Sequence, residues 1–139
     1  MRAFLDTPLL VYLNTVASTE RRSIYENYYL GLLEKYKLYT DVLVLDELIY
    51  VSKKKYGVPY TVTLEFIDSI VLPYVEVVPL GEDEYRRAAK LLAAFSIKPS
   101  DALHVAAALE RGIRLIVSED TELDKVPGLT RLWLPGVTV

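Results

Sequence analysis

Apolar residues along this chain form short buried runs separated by longer stretches with helical spacing. The runs Arg2–Leu5, Val75–Val78 and Ile113–Val117 are short and rich in aliphatic or aromatic residues, which is typical of buried strands. Between them, apolar residues recur three and four positions apart, most regularly in the amphipathic stretch from Glu82 to Phe95. The pattern therefore predicts an α/β protein in which helices connect the strands.

Helix boundaries are predicted where a capping residue or proline starts the helical spacing and glycine or proline stops it. The predicted helices run from Pro8 to about Asn14, from Ser18 or Thr19 to about Lys37, from Asp41 to about Lys55 with Thr40 as cap, from Thr61 to about Leu72, from Glu82 to Phe95, and from Pro99 and Ser100 to Gly112. Arg131 to Leu134 is predicted as a last strand. The alternation indicates an α/β fold with a mainly parallel sheet, and the length fits one domain, 1–139.

The second predicted helix carries a stripe of tyrosine and leucine at helical spacing. Its members are Tyr25, Tyr28, Tyr29, Leu32, Leu33 and Tyr36. Packing into the core is the favoured interpretation of this stripe, and a surface for a partner protein is the alternative.

Composition narrows the class of protein. The net charge of −3 argues against a module that grips nucleic acid by electrostatics alone, but not against an enzyme that meets phosphates through bound cations. The chain has no Cys, so it has neither disulfides nor thiolate metal sites. Asp6 and Pro8 interrupt the first apolar run, and no apolar run reaches the ~18 residues of a membrane span. We therefore expect a cytoplasmic protein.

Three acidic residues, far apart in sequence, are predicted to converge. Asp6 follows the first strand, Asp120 follows the strand Ile113–Val117, and Asp101 lies in the first turn of the helix before that strand. If the strands are parallel, all three lie at the edge of the sheet where ligands bind. Each could instead cap a helix or complement its dipole. Together, however, they would repel one another unless a divalent cation were bound, and hard cations prefer oxygen ligands.

Asp46 and Glu47 lie within the third predicted helix. The helical neighbours of both, such as Leu43 and Tyr50, are apolar or aromatic. Because a buried unpaired charge is costly, at least one of the two is expected to serve a site or a salt bridge. Periodicity alone does not choose between them.

Four segments of the chain each contain a candidate acid: Phe4-Leu5-Asp6-Thr7, Leu45-Asp46-Glu47-Leu48, Ser100-Asp101-Ala102-Leu103-His104-Val105-Ala106 and Ile116-Val117-Ser118-Glu119-Asp120. In their order and spacing, these segments resemble the PIN-domain family, especially the VapC-type toxin ribonucleases. The last two, joined by Glu110-Arg111-Gly112-Ile113-Arg114-Leu115, are the most specific. The resemblance covers nearly the whole chain and implies a three-layer α/β/α PIN-like fold.

The resemblance also implies a site and an activity. The acidic quartet would be Asp6, Glu47, Asp101 and Asp120, of which Asp6, Asp101 and Asp120 would hold Mg²⁺ or Mn²⁺, with Thr7 and Glu122 as auxiliary residues. Glu47 would orient or deprotonate the water that attacks an RNA phosphodiester, leaving 5′-phosphate and 3′-hydroxyl ends. Pro8 and Leu123 depart from the residues common at these positions in the family.

Other candidate residues are less specific. His104, the only histidine, is interpreted as a partly buried helix residue and left out of the catalytic set. Two basic clusters, Lys53–Lys55 and the group Arg86, Arg87 and Lys90, could contact RNA or could simply be solvated faces.

Partners and competing functions follow from the same resemblance. VapC-like proteins are commonly homodimers inhibited by a small antitoxin, so we expect both partners here, with the tyrosine-rich second helix and the next two helices as candidate surfaces. One competing function is a non-catalytic PIN-fold interaction domain. Another is a different Mg²⁺-dependent α/β phosphohydrolase or a receiver-like domain. The sequence Asp6-Thr7-Pro8 lacks the second Asp that a haloacid-dehalogenase-type phosphatase requires.

Overall fold

A computed structural model describes residues 1–134, which contain five strands and six helices. The strands are β1 (Arg2–Leu5), β2 (Lys37–Asp41), β3 (Val75–Val78), β4 (Leu115–Val117) and β5 (Thr130–Leu132). The helices are α1 (Thr7–Thr15), α2 (Thr19–Lys35), α3 (Val42–Tyr56), α4 (Tyr60–Phe66), α5 (Glu82–Ala94) and α6 (Pro99–Glu110). A π-helical turn, Ile67–Val71, continues α4, and a 3₁₀ turn, Thr121–Lys125, follows β4.

The five strands form one parallel sheet in the order β3-β2-β1-β4-β5. Strands β2 and β3 lie on one side of β1, and β4 and β5 lie on the other side. The predicted parallel sheet and the α/β/α architecture are confirmed. Because the strand order reverses between β1 and β4, a crevice opens beyond their carboxyl ends. Asp6 and the segment Ser118–Asp120 follow these two strands directly.

Strand β2 was absent from the sequence prediction, which took the second helix to about Lys37 and made Thr40 the cap of the third. Both predictions are wrong: α2 ends at Lys35, and the cap is Asp41, whose side chain accepts a hydrogen bond from the Val44 amide at 2.8 Å. The strand is short and half polar, so it has no apolar alternation. Its burial between β1 and β3 is made possible by hydrogen bonds such as that from the Thr40 hydroxyl to the Leu5 carbonyl, 2.9 Å.

Burial is concentrated in β1, which Asp6 follows directly, and in α6, which contains Asp101. Ala3, Phe4 and Leu5 have no exposed surface, and nearly every residue of α6 from Asp101 to Ala108 is buried. The tyrosine stripe of α2 packs into this core through Tyr25, Tyr29 and Leu32, as its favoured interpretation predicted. Within residues 1–134, none of the helices has both the length and the apolar content needed to cross a membrane.

Replacement of glycine by alanine is expected to have opposite effects on stability at Gly31, inside α2, and at Gly57, directly after α3. Gly57 ends α3 with φ of +70°, a left-handed conformation that costs other residues ~1–2 kcal/mol. Gly31 lies inside α2, and a Cβ there would meet no atom within 4 Å. We therefore expect Gly57→Ala to lower the free energy of unfolding by ~1 kcal/mol and Gly31→Ala to raise it by ~0.5–1 kcal/mol. Urea denaturation of the two variants measures both; equal shifts in one direction would contradict the assigned helix end.

Candidate active site

A cleft at the carboxyl edge of the sheet contains the predicted acidic quartet. Its volume is about 440 Å³, and its wall includes Asp6, Thr7, Glu47, Asp101 and Asp120, together with Tyr12, Lys55, Tyr56, Lys98 and Glu119. The quartet comes from four separate elements: the end of β1, α3, the first turn of α6 and the loop after β4. The topology argument therefore located Asp6, Asp101 and Asp120 at one edge correctly.

Asp6 is held rigidly at the base of this cleft. It is 4% exposed; its Oδ1 accepts a hydrogen bond from the Thr7 amide at 2.8 Å, and its Oδ2 accepts one from the Ser118 hydroxyl at 2.6 Å. Burial raises the pKa of Asp6, whereas the charge of His104 and the two hydrogen bonds oppose that rise. Asp6 thus also caps α1, which is the structural role that its position in the sequence allowed.

Asp101 has a carboxylate oxygen that no protein group satisfies. The residue is 8% exposed, and its Oδ2 is the one buried side-chain oxygen or nitrogen without a hydrogen-bond partner among residues 1–134. Burial, followed by the negative charges of Asp6 and Asp120, raises the pKa of Asp101 to about 7. Such an unsatisfied buried oxygen is costly, and a bound cation would remove the cost.

Asp120 is oriented by the turn that follows β4. Its Oδ1 accepts a hydrogen bond from the Glu122 amide at 3.0 Å, and its own amide donates to the Ser118 hydroxyl at 3.1 Å. Ser118 therefore joins Asp120 to Asp6. Glu122, the predicted auxiliary acid, lies outside the cleft wall, and its side chain pairs with Lys125 on the surface.

The structure separates Glu47 from Asp46. Glu47 lines the cleft, and its Oε1 accepts a hydrogen bond from the Thr7 hydroxyl at 3.1 Å. Asp46 is exposed. The apolar helical neighbours of Asp46 had suggested that its charge is buried, but two of them, Val42 and Tyr50, are themselves about half exposed. Thr7 thus contacts two acids of the quartet, Asp6 through its amide and Glu47 through its hydroxyl.

His104 contacts Glu47 from the buried side of the cleft, and Asp41 contacts His104. Neither residue was assigned to the site from the sequence. His104 is not partly buried, as predicted, but 1% exposed. Its Nδ1 lies 2.7 Å from Asp41 Oδ2, and its Nε2 lies 2.5 Å from Glu47 Oε1. Burial alone would lower the pKa of His104, but hydrogen bonds to Asp41 and Glu47 and the charges of Asp41 and Asp6 raise it to about 10. Each ring nitrogen therefore faces a carboxylate oxygen, an arrangement that a protonated imidazole satisfies by donating from both nitrogens.

A signal for this pair does exist in the sequence. His104 lies three residues after Asp101, on the same helix face. Asp41 would have been recognised once Lys37–Asp41 was read as a strand, because it then becomes a third acid at the end of a parallel strand.

The cleft wall is acidic overall. Five carboxylates line it, from Asp6, Glu47, Asp101, Glu119 and Asp120, against the two ammonium groups of Lys55 and Lys98. Within residues 1–134, no three His, Asp or Glu side chains are yet arranged as the ligands of one metal ion. The donor set still fits a hard divalent cation, because its donors are carboxylate oxygens and one of them is buried without a partner.

The two candidate basic clusters differ in their surroundings. In the α5 cluster, Arg86 pairs with Glu82 and Arg87 with Glu110, so acidic partners offset much of its charge. In the α3 cluster, Lys55 reaches the cleft wall. Lys98, which precedes α6, was not identified from the sequence, although it lies three residues before Asp101.

Comparisons with known proteins agree on the fold. Three similar solved structures are VapBC2 from Rickettsia felis bound to a promoter DNA fragment, a toxin–antitoxin complex from Klebsiella pneumoniae, and VapC20 from Mycobacterium tuberculosis, described as a sarcin–ricin-loop-cleaving toxin. Their TM-scores are 0.72, 0.67 and 0.71, and their sequence identities are 20%, 18% and 17%. The alignments cover 96%, 92% and 88% of this chain and 98%, 95% and 92% of the respective chains.

At these identities the likeness establishes the fold and not the substrate. No curated protein sequence matches the chain significantly. The sequence profile of the PIN domain, however, matches residues 3–129, which is most of the chain and includes every acid of the quartet. This protein therefore belongs to the PIN-domain family.

Proposed function

We propose that this chain, as a single domain over residues 1–139, is a metal-dependent endoribonuclease that hydrolyses RNA phosphodiester bonds. The observation that carries the proposal is the buried, unpartnered Oδ2 of Asp101 beside the carboxylates of Asp6 and Asp120. A fold retains such an arrangement at a cost in stability, and perturbed carboxylates in a cleft are typical of a functional site.

The acids, the threonine and the two lysines of the cleft have distinct roles in this proposal. Asp6, Asp101 and Asp120 would hold Mg²⁺ or Mn²⁺, and the ion, when bound, neutralises phosphate charge and lowers the pKa of water. Glu47 orients the attacking water, and Thr7 fixes the Glu47 carboxylate. As water adds to phosphorus, the bond to the 3′-oxygen breaks, which leaves 5′-phosphate and 3′-hydroxyl ends. Outside the quartet, Lys55 and Lys98 provide positive charge for the neighbouring phosphates.

Metal binding is expected to stabilise the protein in a pH-dependent way. A cation at ten times its dissociation constant raises the free energy of unfolding by ~1.4 kcal/mol. Because the pKa of Asp101 is about 7 without metal, the ion must displace a proton at lower pH. Thermal unfolding with Mn²⁺ or EDTA at pH 6 and pH 8 measures this, and the larger shift is expected at pH 8. Equal shifts at both pH values would place the bound ion away from Asp101.

Cleavage of labelled single-stranded RNA tests the function directly. The purified chain is incubated with Mg²⁺, Mn²⁺ or EDTA, and the product ends are identified with a 5′-phosphate-dependent exonuclease. Metal-dependent products that carry 5′-phosphate support the proposal. Intact RNA together with no stabilisation by metal would instead indicate a non-catalytic PIN-fold domain. Intact RNA with clear stabilisation would point to another class of phosphoester.

We further propose that the chain is the toxin of a VapBC-type pair that acts in the cytoplasm, where its RNA substrate would be found. The support is the similarity to VapBC2 and to the Klebsiella toxin–antitoxin complex. A groove of about 450 Å³ between α2 and the π-helical turn, with Leu30, Phe66 and Ile70 in its wall, could receive an amphipathic helix of a small antitoxin.

A homodimer of this chain is also proposed. Light scattering should then give twice the chain mass of 15.8 kDa, and a monomer mass would refute the dimer.

A further inference from the structure

A buried charged pair lies directly beneath Glu47, and the proposed reaction gives it no role. Asp41 has no exposed surface and His104 has 1%, and Asp41 Oδ2 lies 2.7 Å from His104 Nδ1. Capping α3 needs only one oxygen of Asp41, the Oδ1 that accepts from Val44. Its second oxygen binds His104 instead. Buried ion pairs are often replaceable by apolar groups without loss of stability, so stability alone does not account for this one.

The contact between Asp41 and His104 orients one ring nitrogen of His104, Nε2, toward Glu47. Asp41 Oδ2 binds His104 Nδ1 at 2.7 Å and so fixes the ring plane, which leaves Nε2 to donate to Glu47 Oε1 at 2.5 Å. The Thr7 hydroxyl donates to the same oxygen at 3.1 Å. Within residues 1–134, both hydrogen bonds to Glu47 therefore end on Oε1. The Glu47 side chain remains 30% exposed to the cleft, and Oε2 is left for a ligand.

We propose that Asp41 and His104 are positioning residues that hold the Glu47 carboxylate by Oε1, so that its other oxygen faces the attacking water. The inference rests on the proposed hydrolytic function and deepens it. Asp41 comes from β2, His104 from α6 and Thr7 from α1, so three elements other than α3 help to hold the Glu47 carboxylate. Two donors on a single oxygen restrict rotation of the carboxylate far more than one would.

Two amide substitutions at His104 separate the two contacts of its ring. The Asn amide nitrogen can occupy the position of Nδ1, which keeps the contact with Asp41 and loses Glu47. The Gln amide nitrogen can occupy the position of Nε2, which keeps the contact with Glu47. Thr63→Val is a matched control, because Thr63 is a buried residue of α4 outside the cleft wall, and the change removes the hydrogen bond from Asn14 to its hydroxyl at 2.9 Å.

Cleavage kinetics of labelled RNA with Mn²⁺ give the first readout. We expect His104→Asn to lower kcat by ~10- to 100-fold, the range found when an outer partner of a metal-site residue is lost. KM should stay within about threefold, because RNA is held by other groups of the cleft. His104→Gln should recover most of the loss, and Thr63→Val should leave kcat near the wild-type value. An equal loss in the Asn and Gln variants, or none in His104→Asn, would overturn the proposal.

Proton NMR gives a second readout that does not depend on activity. His104 is the only histidine, so its two ring N–H protons are unique in the spectrum. In Glu47→Gln the Nε2–H resonance should move strongly upfield while the Nδ1–H resonance stays. If both resonances are unchanged, Glu47 is not held by His104 and the inference is wrong. If wild-type RNA cleavage fails but the Nε2–H shift is seen, the ribonuclease proposal fails and the positioning of Glu47 stands.

Discussion

Replacing Asp101 by Asn is expected to abolish RNA cleavage while making the metal-free protein more stable above pH 7. The activity loss should be at least ~10³-fold, because a neutral amide cannot replace a carboxylate in holding a divalent cation at the reacting phosphate. The stability gain has a separate cause. The pKa of Asp101 is raised to about 7, so its charge destabilises the folded state at higher pH, and Asn removes that charge.

The sign of the pH dependence follows from the raised pKa. In wild type, the Asp101 carboxyl is neutral near pH 4 and does not destabilise the folded state. Stability of the folded state is lost as the pH rises through about 7, because the buried carboxyl then becomes charged. The variant has no such loss, so the two thermal unfolding midpoints should diverge as the pH rises from 5 to 8 in EDTA.

Asp83→Asn is the matched control for Asp101→Asn. Asp83 also lies in the first turn of its helix, α5, but it is exposed and outside the acidic cleft. It should leave both cleavage and the pH dependence of unfolding unchanged. If Asp101→Asn cleaves RNA as fast as wild type, the activity comes from a contaminant or from another site. If it is less stable than wild type at pH 8, Asp101 is a structural residue and the acidic cleft is misassigned.

The helices and four of the five strands were predictable because their apolar residues form short runs or follow helical spacing. Strand β2 was not, since Lys37–Asp41 has neither alternation nor a run of apolar residues. Its place is fixed by tertiary structure: it pairs with β1 and β3, and neighbouring groups satisfy Thr40 and Asp41. A strand that is defined by its neighbours leaves little signal in its own residues.

The candidate site, like the fold, was predictable only in part from the sequence. Asp6, Asp101 and Asp120 follow from topology alone, because parallel strands bring their carboxyl ends to one edge. The choice of Glu47 over Asp46 came from the family resemblance, and the exposed apolar face of α3 explains why periodicity could not make it. Asp41 remained hidden because β2 was missed, and without Asp41 the burial of His104 had no partner to explain it.

Replacing Asp41 by Asn is expected to lower the free energy of unfolding by ~3 kcal/mol at pH 7, because it leaves the buried charge of His104 without its fully buried partner. Asn keeps an oxygen that can accept from Val44, so the cap of α3 is retained and the loss reports on the charge. In wild type the pKa of His104 is raised from 6.5 to about 10. The stabilisation is therefore complete below pH 6.5 and is lost as the pH rises through 10.

The difference between wild type and Asp41→Asn should thus shrink steadily in urea denaturations at pH 7, 8, 9 and 10. Comparing the two proteins removes the titration of lysines and tyrosines, which both share. Asp46→Asn, an exposed change on the same helix, should alter stability by less than ~0.5 kcal/mol at every pH. A loss in Asp41→Asn that does not change with pH would mean that His104 is neutral in the folded protein. In that case the Nε2 contact with Glu47 would be a neutral hydrogen bond, and its hold on the carboxylate would be weaker.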